Sequence, residues 1–285
     1  MDTTTPSCRW LTTLVLGTTA ATAALGAEAT AEPQFPPWDR GALRLGGFVT
    51  TLDSSIRFGV DGVGVELDGE ELLGLDSSST VFRADALYRL GANRRHRLDL
   101  SYVGFHRSAS KTLGESLDVG DETLPAGSAI ESSLHTDLFR TSYTYSFFQD
   151  ERVSLGAGLG VYIAPVEYGI DVTIADETRT LDAREVTLPL PVLSLRGEVK
   201  LSRKFCLQGS ADAFYLKLDG FSGSLIDVQF GVEYQLTRNV GLGLAYNFFD
   251  LDVEAGEDSD YPGIDFDGAV NMKTTGLLLY GKFSF

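Results

Sequence analysis

The C-terminal stretch Gly276-Leu277-Leu278-Leu279-Tyr280-Gly281-Lys282-Phe283-Ser284-Phe285 alternates with a period of two. Leu277, Leu279, Gly281, Phe283 and Phe285 share one face. Leu278, Tyr280, Lys282 and Ser284 share the other. Successive side chains of an extended chain point to opposite sides, so the pattern specifies a strand with one continuous apolar face. The same alternation recurs upstream. Ile226, Val228, Phe230, Val232, Tyr234 and Leu236 oppose Asp227, Gln229, Gly231, Glu233 and Gln235. Leu98, Leu100 and Tyr102 oppose Arg97, Asp99 and Ser101, and Leu207, Gly209, Ala211 and Ala213 oppose Gln208, Ser210 and Asp212.

Alternation alone also fits a soluble sandwich, and the rhythm of the breaks separates the two. About ten strands are expected, near 42–52, 79–90, 96–107, 135–147, 153–164, 187–201, 205–218, 224–236, 240–251 and 273–285. The breaks at Gly91–Arg95, Phe148–Arg152, Ser202–Lys204 and Thr237–Asn239 are tight, whereas those at 53–78, 108–134, 165–186 and 252–272 are long; only Asp219–Gly223 is a short break on the long side. An even strand count with short turns at one end and long loops at the other is the pattern of a transmembrane barrel. Aromatic residues gather at both ends of the strands. Tyr88, Tyr145, Phe147, Phe205, Tyr234, Phe283 and Phe285 lie at the turn end, and Tyr102, Phe139, Tyr215, Tyr246 and Phe248 toward the loops. Amphipathic rings favour the two membrane–water interfaces, and a soluble sandwich has no reason to ring both its ends.

The chain has 285 residues, a formal net charge of -17 and a mean hydropathy of +0.01. The charge argues against a nucleic-acid partner. Near-zero hydropathy suits a barrel whose lipid-facing and lumen-facing residues alternate. Arg9, the uncharged stretch Leu11 to Leu25, and the small-residue pattern Ala29-Thr30-Ala31 read as a secretory signal peptide over 1–31. A Pro-containing linker over 32–41 and the barrel over 42–285 follow. Cys8 would leave with the signal and Cys206 would have no internal partner.

The terminal Phe285, with apolar residues at alternate positions behind it, resembles the strand signature by which the barrel assembly machinery recognises outer-membrane proteins. With the signal and the strand rhythm, it marks a resemblance to the outer-membrane β-barrel superfamily. The fold this implies is all-β: a closed, antiparallel, up-and-down transmembrane barrel in a Gram-negative outer membrane. Glu71-Leu72-Leu73-Gly74-Leu75-Asp76, Thr80, Phe82-Arg83, Tyr88-Arg89 and Arg95-His96-Arg97 resemble a loose group of proteobacterial barrels that brings no assigned activity. Phe283 and Phe285 are the implied assembly signal.

The inward face carries both signs of charge. Arg44, Arg83, Arg89, Arg97, Arg140, Arg196, Lys200 and Lys282 are interspersed with Asp85, Asp99, Glu198, Asp212, Asp227 and Glu233. An isolated charge in a narrow bore is costly, so these groups are expected to pair and to close the lumen. Gly156, Gly158 and Gly160, and Gly241 with Gly243, leave wall positions bare, to receive the arginines or to leave a channel. The outer loops are acidic, with Asp53, Asp61, Glu66, Asp68, Glu70, Glu71 and Asp76 in the first and Asp250 to Asp267 in the last. Outer-membrane lipid and lipopolysaccharide are the expected surroundings, with divalent cations as candidate bridges at these carboxylates; no EF-hand spacing is present.

Three histidines are candidates for catalysis. His96 reads as interfacial. His106-Arg107-Ser108 resembles the His-x-Ser dyad of outer-membrane lipid A deacylases, with Glu115 or His135 to complete it, but its place in the third strand departs from that family. Leu134-His135-Thr136-Asp137 is a poor match to the Asp-x-His pairing of omptin proteases. No catalytic residue, metal ligand or cofactor motif is assigned, and Gly156-Ala157-Gly158-Leu159-Gly160 lies within a strand rather than before a helix.

The sequence therefore reads as a monomeric barrel of structural or passive type with a charge-plugged lumen. A narrow channel or transporter for small polar solutes is the alternative, and a lipid A-modifying hydrolase the third reading. Deleting Phe285 is expected to abolish assembly, seen as loss of the heat-modifiable band on gels.

Overall fold

The computed structural model describes residues 36–58, 65–68, 78–112, 116–119, 122–174, 177–218, 220–255 and 268–285. The signal peptide, the Glu71–Asp76 motif, Glu115 and the carboxylates from Glu257 to Asp267 lie outside them. Ten strands form the wall: β1 (Gly41–Phe58), β2 (Ser78–Leu90), β3 (His96–Thr112), β4 (Ala129–Gln149), β5 (Val153–Ile174), β6 (Glu177–Lys200), β7 (Phe205–Leu218), β8 (Phe221–Gln235), β9 (Val240–Ala255) and β10 (Gly268–Ser284). Each pairs antiparallel with its neighbours in chain order, and β10 pairs back onto β1 from Ala42–Ser284 to Phe58–Gly268. The seam is completed where Gly41 N donates to Phe285 O at 3.0 Å and Phe285 N donates to Gly41 O at 2.9 Å. Closure leaves the wall without a free first or last edge strand. Among the described residues no helix is long and apolar enough to cross a membrane.

The exposed side of the wall is apolar. Leu43, Leu45 and Val49, Leu98 and Leu100, Leu193 and Leu195, and Leu277 and Leu279 all stand exposed. Such a continuous apolar surface is a lipid contact, since soluble proteins do not present one of this extent. Outward aromatic and apolar residues run from Phe139 to Phe147, from Val240 to Phe248 and from Leu277 to Phe285. These equal spans match the roughly 9–11 residues a tilted strand needs to cross the hydrocarbon layer.

The tight turns share one device. The Asp150 carboxylate accepts the amides of Arg152 at 2.7 Å and Val153 at 2.6 Å. Ser202 Oγ accepts those of Lys204 and Phe205, and Thr237 Oγ1 those of Asn239 and Val240. Local side chain-to-backbone bonds of this kind hold a turn in shape. The two amides also hold the Asp150 carboxyl below the usual carboxylate range.

The long breaks differ from expectation. The loop expected at 165–186 is instead a projecting hairpin, with β5 and β6 paired out to Ile174–Glu177. The reason stands in the chain itself: Val166, Tyr168, Ile170, Val172 and Ile174 continue the alternation beyond membrane height. β3 and β4 likewise pair out to Thr112–Ala129. Three prolines punctuate this upper region. The β6–β7 ladder ends at Leu193–Ala213, next to Pro191 and Pro189, and the β4–β5 ladder skips the step opposite Pro165. Proline has no N–H to give to a ladder, so pairing breaks off on one side of each strand while the β5–β6 ladder runs through all three. A register shift between Ser146 and Phe148 turns both Phe147 and Phe148 outward.

The apolar core sits inside the loop half of the barrel. Phe48, Phe105, Leu190, Val192, Leu225, Phe249, Leu251 and Val253 meet there, and Leu190 and Val253 are 0% exposed. Truncating Leu190 or Leu251 to Ala is expected to cost about 2–5 kcal/mol, the range for a buried leucine that leaves a cavity. The urea midpoint of the refolded barrel in detergent measures it.

Candidate functional site: the barrel interior

Below the apolar core the bore is filled by charge. Period-two geometry sends every second side chain inward, so strands far apart in sequence aim arginines and carboxylates at one axis. Two layers result.

The middle layer centres on Asp212, whose side chain is fully buried. It receives Arg140 at 2.9 Å from β4 and Arg196 at 3.0 Å from β6. Ser194 and Tyr162 donate to it as well. Tyr162 also donates to Asp227 at 2.6 Å, and Asn247 Nδ2 donates to the same carboxylate at 2.5 Å. Arg83 pairs with Asp85 at 3.2 Å, and Ser101 donates to Asp85 at 2.5 Å.

The layer nearer the turns has two carboxylate centres. Glu198 is shared by Arg89 and Arg97, and Arg97 also grips Asp99 at 2.6 Å. Glu233 binds Arg44 at 2.8 Å and Lys282 at 2.8 Å, and accepts from Tyr280 at 3.0 Å. Gln208 bridges Arg44 and Tyr280. Between the layers remains a cavity of about 30 Å³, walled by Arg44, Asp85, Arg97, Arg140, Arg196 and Glu198 among others. That is room for a water or two.

The segment ahead of β1 closes the turn-end mouth. Trp38 is buried and donates through Nε1 to Asp150 O at 2.8 Å. Lys200 Nζ stands 3.7 Å above its ring and donates to Pro36 O at 2.6 Å. Asp39 meets Lys282 at 2.8 Å. Lys200 therefore belongs to the mouth rather than to the deep lumen, and part of the stretch read as a linker is packed against the barrel. The glycine positions are occupied too. A Cβ on Gly243 would fall 2.0 Å from the Tyr280 ring, which lies over it. One on Gly158 would strike the β4 backbone at Tyr143.

All fourteen charged residues read as lumen-lining thus lie on the inner side or at its mouth. Sequence reasoning put Gln208 and Tyr280 on the inward face without naming them as partners of the charges, and it missed Tyr162, Asn247 and the apolar layer above them. Tyr162 shares parity with Gly156, Gly158 and Gly160, a signal that was available.

No family model matches the chain, and no curated protein matches it. Solved structures do. The outer-membrane protease OmpT from Escherichia coli aligns over 90% of this chain and 100% of its own, with 11% identity and a TM-score of 0.50. The fold is that of the outer-membrane β-barrels. The Pseudomonas putida toluene transporter TodX aligns over 88% of this chain and 91% of its own, at 9% identity and a TM-score of 0.32. Neisserial surface protein A aligns over 86% and 99%, at 13% identity and a TM-score of 0.32. The likeness to OmpT is one of fold alone.

On this barrel the histidines face away from the bore. His96 Nδ1 lies 2.6 Å from Tyr143 Oη on the lipid side. His106 faces outward and contacts Asp137, at 3.4 Å, while Ser108 stands across the ladder from Ser133. Among the described residues no group of three His, Cys, Asp or Glu side chains could hold a metal ion. Asp252 accepts from Asn271, and Asp250 pairs with Lys273.

Asp212 is the sharpest test of the ionic layers. Removing it leaves two buried guanidiniums without their shared carboxylate, a loss of about 3–5 kcal/mol by analogy with other broken buried pairs. Asp212→Ala should lower the urea midpoint accordingly. Arg140→Met with Arg196→Met in the same background should restore much of it.

Proposed function

We propose that this chain is a monomeric outer-membrane barrel of structural or passive type, with a lumen closed to solutes. The observation that carries the reading is the double stopper. Buried Leu190, Leu225, Leu251 and Val253 occupy the loop half, and the paired charges around Asp212, Glu198 and Glu233 occupy the turn half. A solute would have to part an apolar core and then a network of charge-assisted bonds. The fold, the lipid-facing surface and the likeness to Gram-negative outer-membrane barrels support placement in that membrane, among lipopolysaccharide and phospholipid. Assembly through Phe283 and Phe285 by the barrel assembly machinery is part of the same reading. Both rings are exposed on the terminal strand, 6.4 Å apart between centroids.

The solute-channel reading would need both stoppers to move. The lipid A hydrolase reading needs His106 paired with Ser108, but the contacts of His106 are with Asp137 and His135.

Planar-bilayer recording of the refolded barrel, with and without millimolar calcium, tests the proposal. Silence is expected in both conditions, with insertion verified by heat-modifiable migration. Defined current steps would overturn it and favour the narrow channel; a change of ion preference in Arg97→Gln would then locate the path.

A further inference from the structure

The outer wall of the barrel carries a feature that the closed lumen does not explain. On the faces of β2 to β5 the lipid-facing surface sinks into an apolar groove of about 370 Å³. Ala84, Ala86, Leu100, Thr141, Val161 and Ile163 line it. It arises because small Ala84 and Ala86 stand where neighbouring outward positions carry Phe82 and Tyr88. Tyr102 and Phe139 form part of its wall, their ring centroids 5.1 Å apart.

Polar chemistry meets those two rings on their loop side. Tyr102 Oη donates to Asp137 Oδ1 at 2.9 Å, and His106 Nε2 lies 3.4 Å from the same oxygen. The His106 and His135 rings meet edge to face, 5.2 Å apart. His135 pairs across the ladder with Glu167, which is exposed on the same outward side. The cluster closes over Gly104. A Cβ there would lie 2.7 Å from Tyr102 Oη and 2.8 Å from Asp137 Oδ1, so a glycine is needed for the side chains to converge.

Two imidazoles and two carboxylates therefore sit at the loop-side aromatic girdle, the level of outer headgroups, directly above a groove fit for an acyl chain. A bare lipid-facing wall needs only apolar side chains there. Carboxylates complement an ammonium, while imidazole N–H groups complement a phosphate. We propose that this face binds one phospholipid with an ammonium-and-phosphate headgroup. Its chain lies along Ala84 and Ala86, its ammonium against Asp137 and Glu167, and its phosphate against His106 and His135. The site is independent of whether the lumen conducts.

Native mass spectrometry of the full barrel in detergent tests it, with phosphatidylethanolamine and phosphatidylglycerol of identical chains as probes. One phosphatidylethanolamine should be retained per barrel, with about tenfold preference over phosphatidylglycerol, the factor that corresponds to 1.4 kcal/mol. Ala86→Trp, which fills the groove, should abolish retention of both lipids. His106→Ala combined with Asp137→Ala should erase the preference, with the heat-modifiable band showing that the variant still folds. Equal retention of the two lipids by the unaltered barrel, or undiminished phosphatidylethanolamine retention in Ala86→Trp, would overturn the proposal. So would retention of lipopolysaccharide alone.

Discussion

A backbone N–H or C=O left unpaired in hydrocarbon costs several kcal/mol, and the rest of this molecule depends on avoiding that. Ten antiparallel strands meet the requirement only because the last returns to the first, from Ala42–Ser284 upward. The constraint also sorts the prolines. Pro165, Pro189 and Pro191 stand in the upper parts of β5 and β6, near the level of the loop-side aromatic girdle, where the ladders to β4 and β7 break off. Nearer the turns those ladders resume.

Closing the wall creates a second problem, because ten strands enclose a bore wider than their own backbones. The chain solves it differently at its two ends. Toward the loops, Phe48, Leu190, Leu225, Phe249 and Leu251 pack as in a soluble core. Toward the turns, each carboxylate serves two cations or takes neutral donors: Asp212 with Arg140 and Arg196, Glu198 with Arg89 and Arg97, Glu233 with Arg44 and Lys282. Sharing offsets desolvation that a lone buried pair would offset poorly. Tyr162, Tyr280 and Asn247 take up acceptor capacity that the cations leave over.

Parity made the barrel readable. Once Leu277, Leu279 and Phe283 are placed outward, Tyr280 and Lys282 must turn inward, and the same count holds on every strand. Parity does not say who meets whom. Arg44 and Glu233 are far apart in sequence and become neighbours only through the tilt and stagger of the closed sheet. Nor does it reveal how far a strand runs. The stretch from Val166 to Ile174 alternates as cleanly as any transmembrane segment, but a length set by the bilayer ends the expected strand near Ala164. The apolar upper core was masked for a related reason: Leu190 and Leu251 look like any other strand leucines until the face they occupy is known. The outward cluster of Tyr102, His106, His135 and Asp137 needed two strands in register before it existed at all.

The short segment ahead of β1 reaches unusually widely for its length. Trp38 bonds to the β4–β5 turn, accepts from Arg94 of the β2–β3 turn, and lies beneath Lys200 at the end of β6. Asp39 meets Lys282 on the last strand. These anchors come from parts of the chain that become neighbours only once the cylinder has formed. The seat of the tryptophan is therefore built by three separate strand connections rather than by its neighbours in the chain. Trp38 is thus a built-in spectroscopic reporter of the turn end, since its buried indole would meet water if those connections came apart.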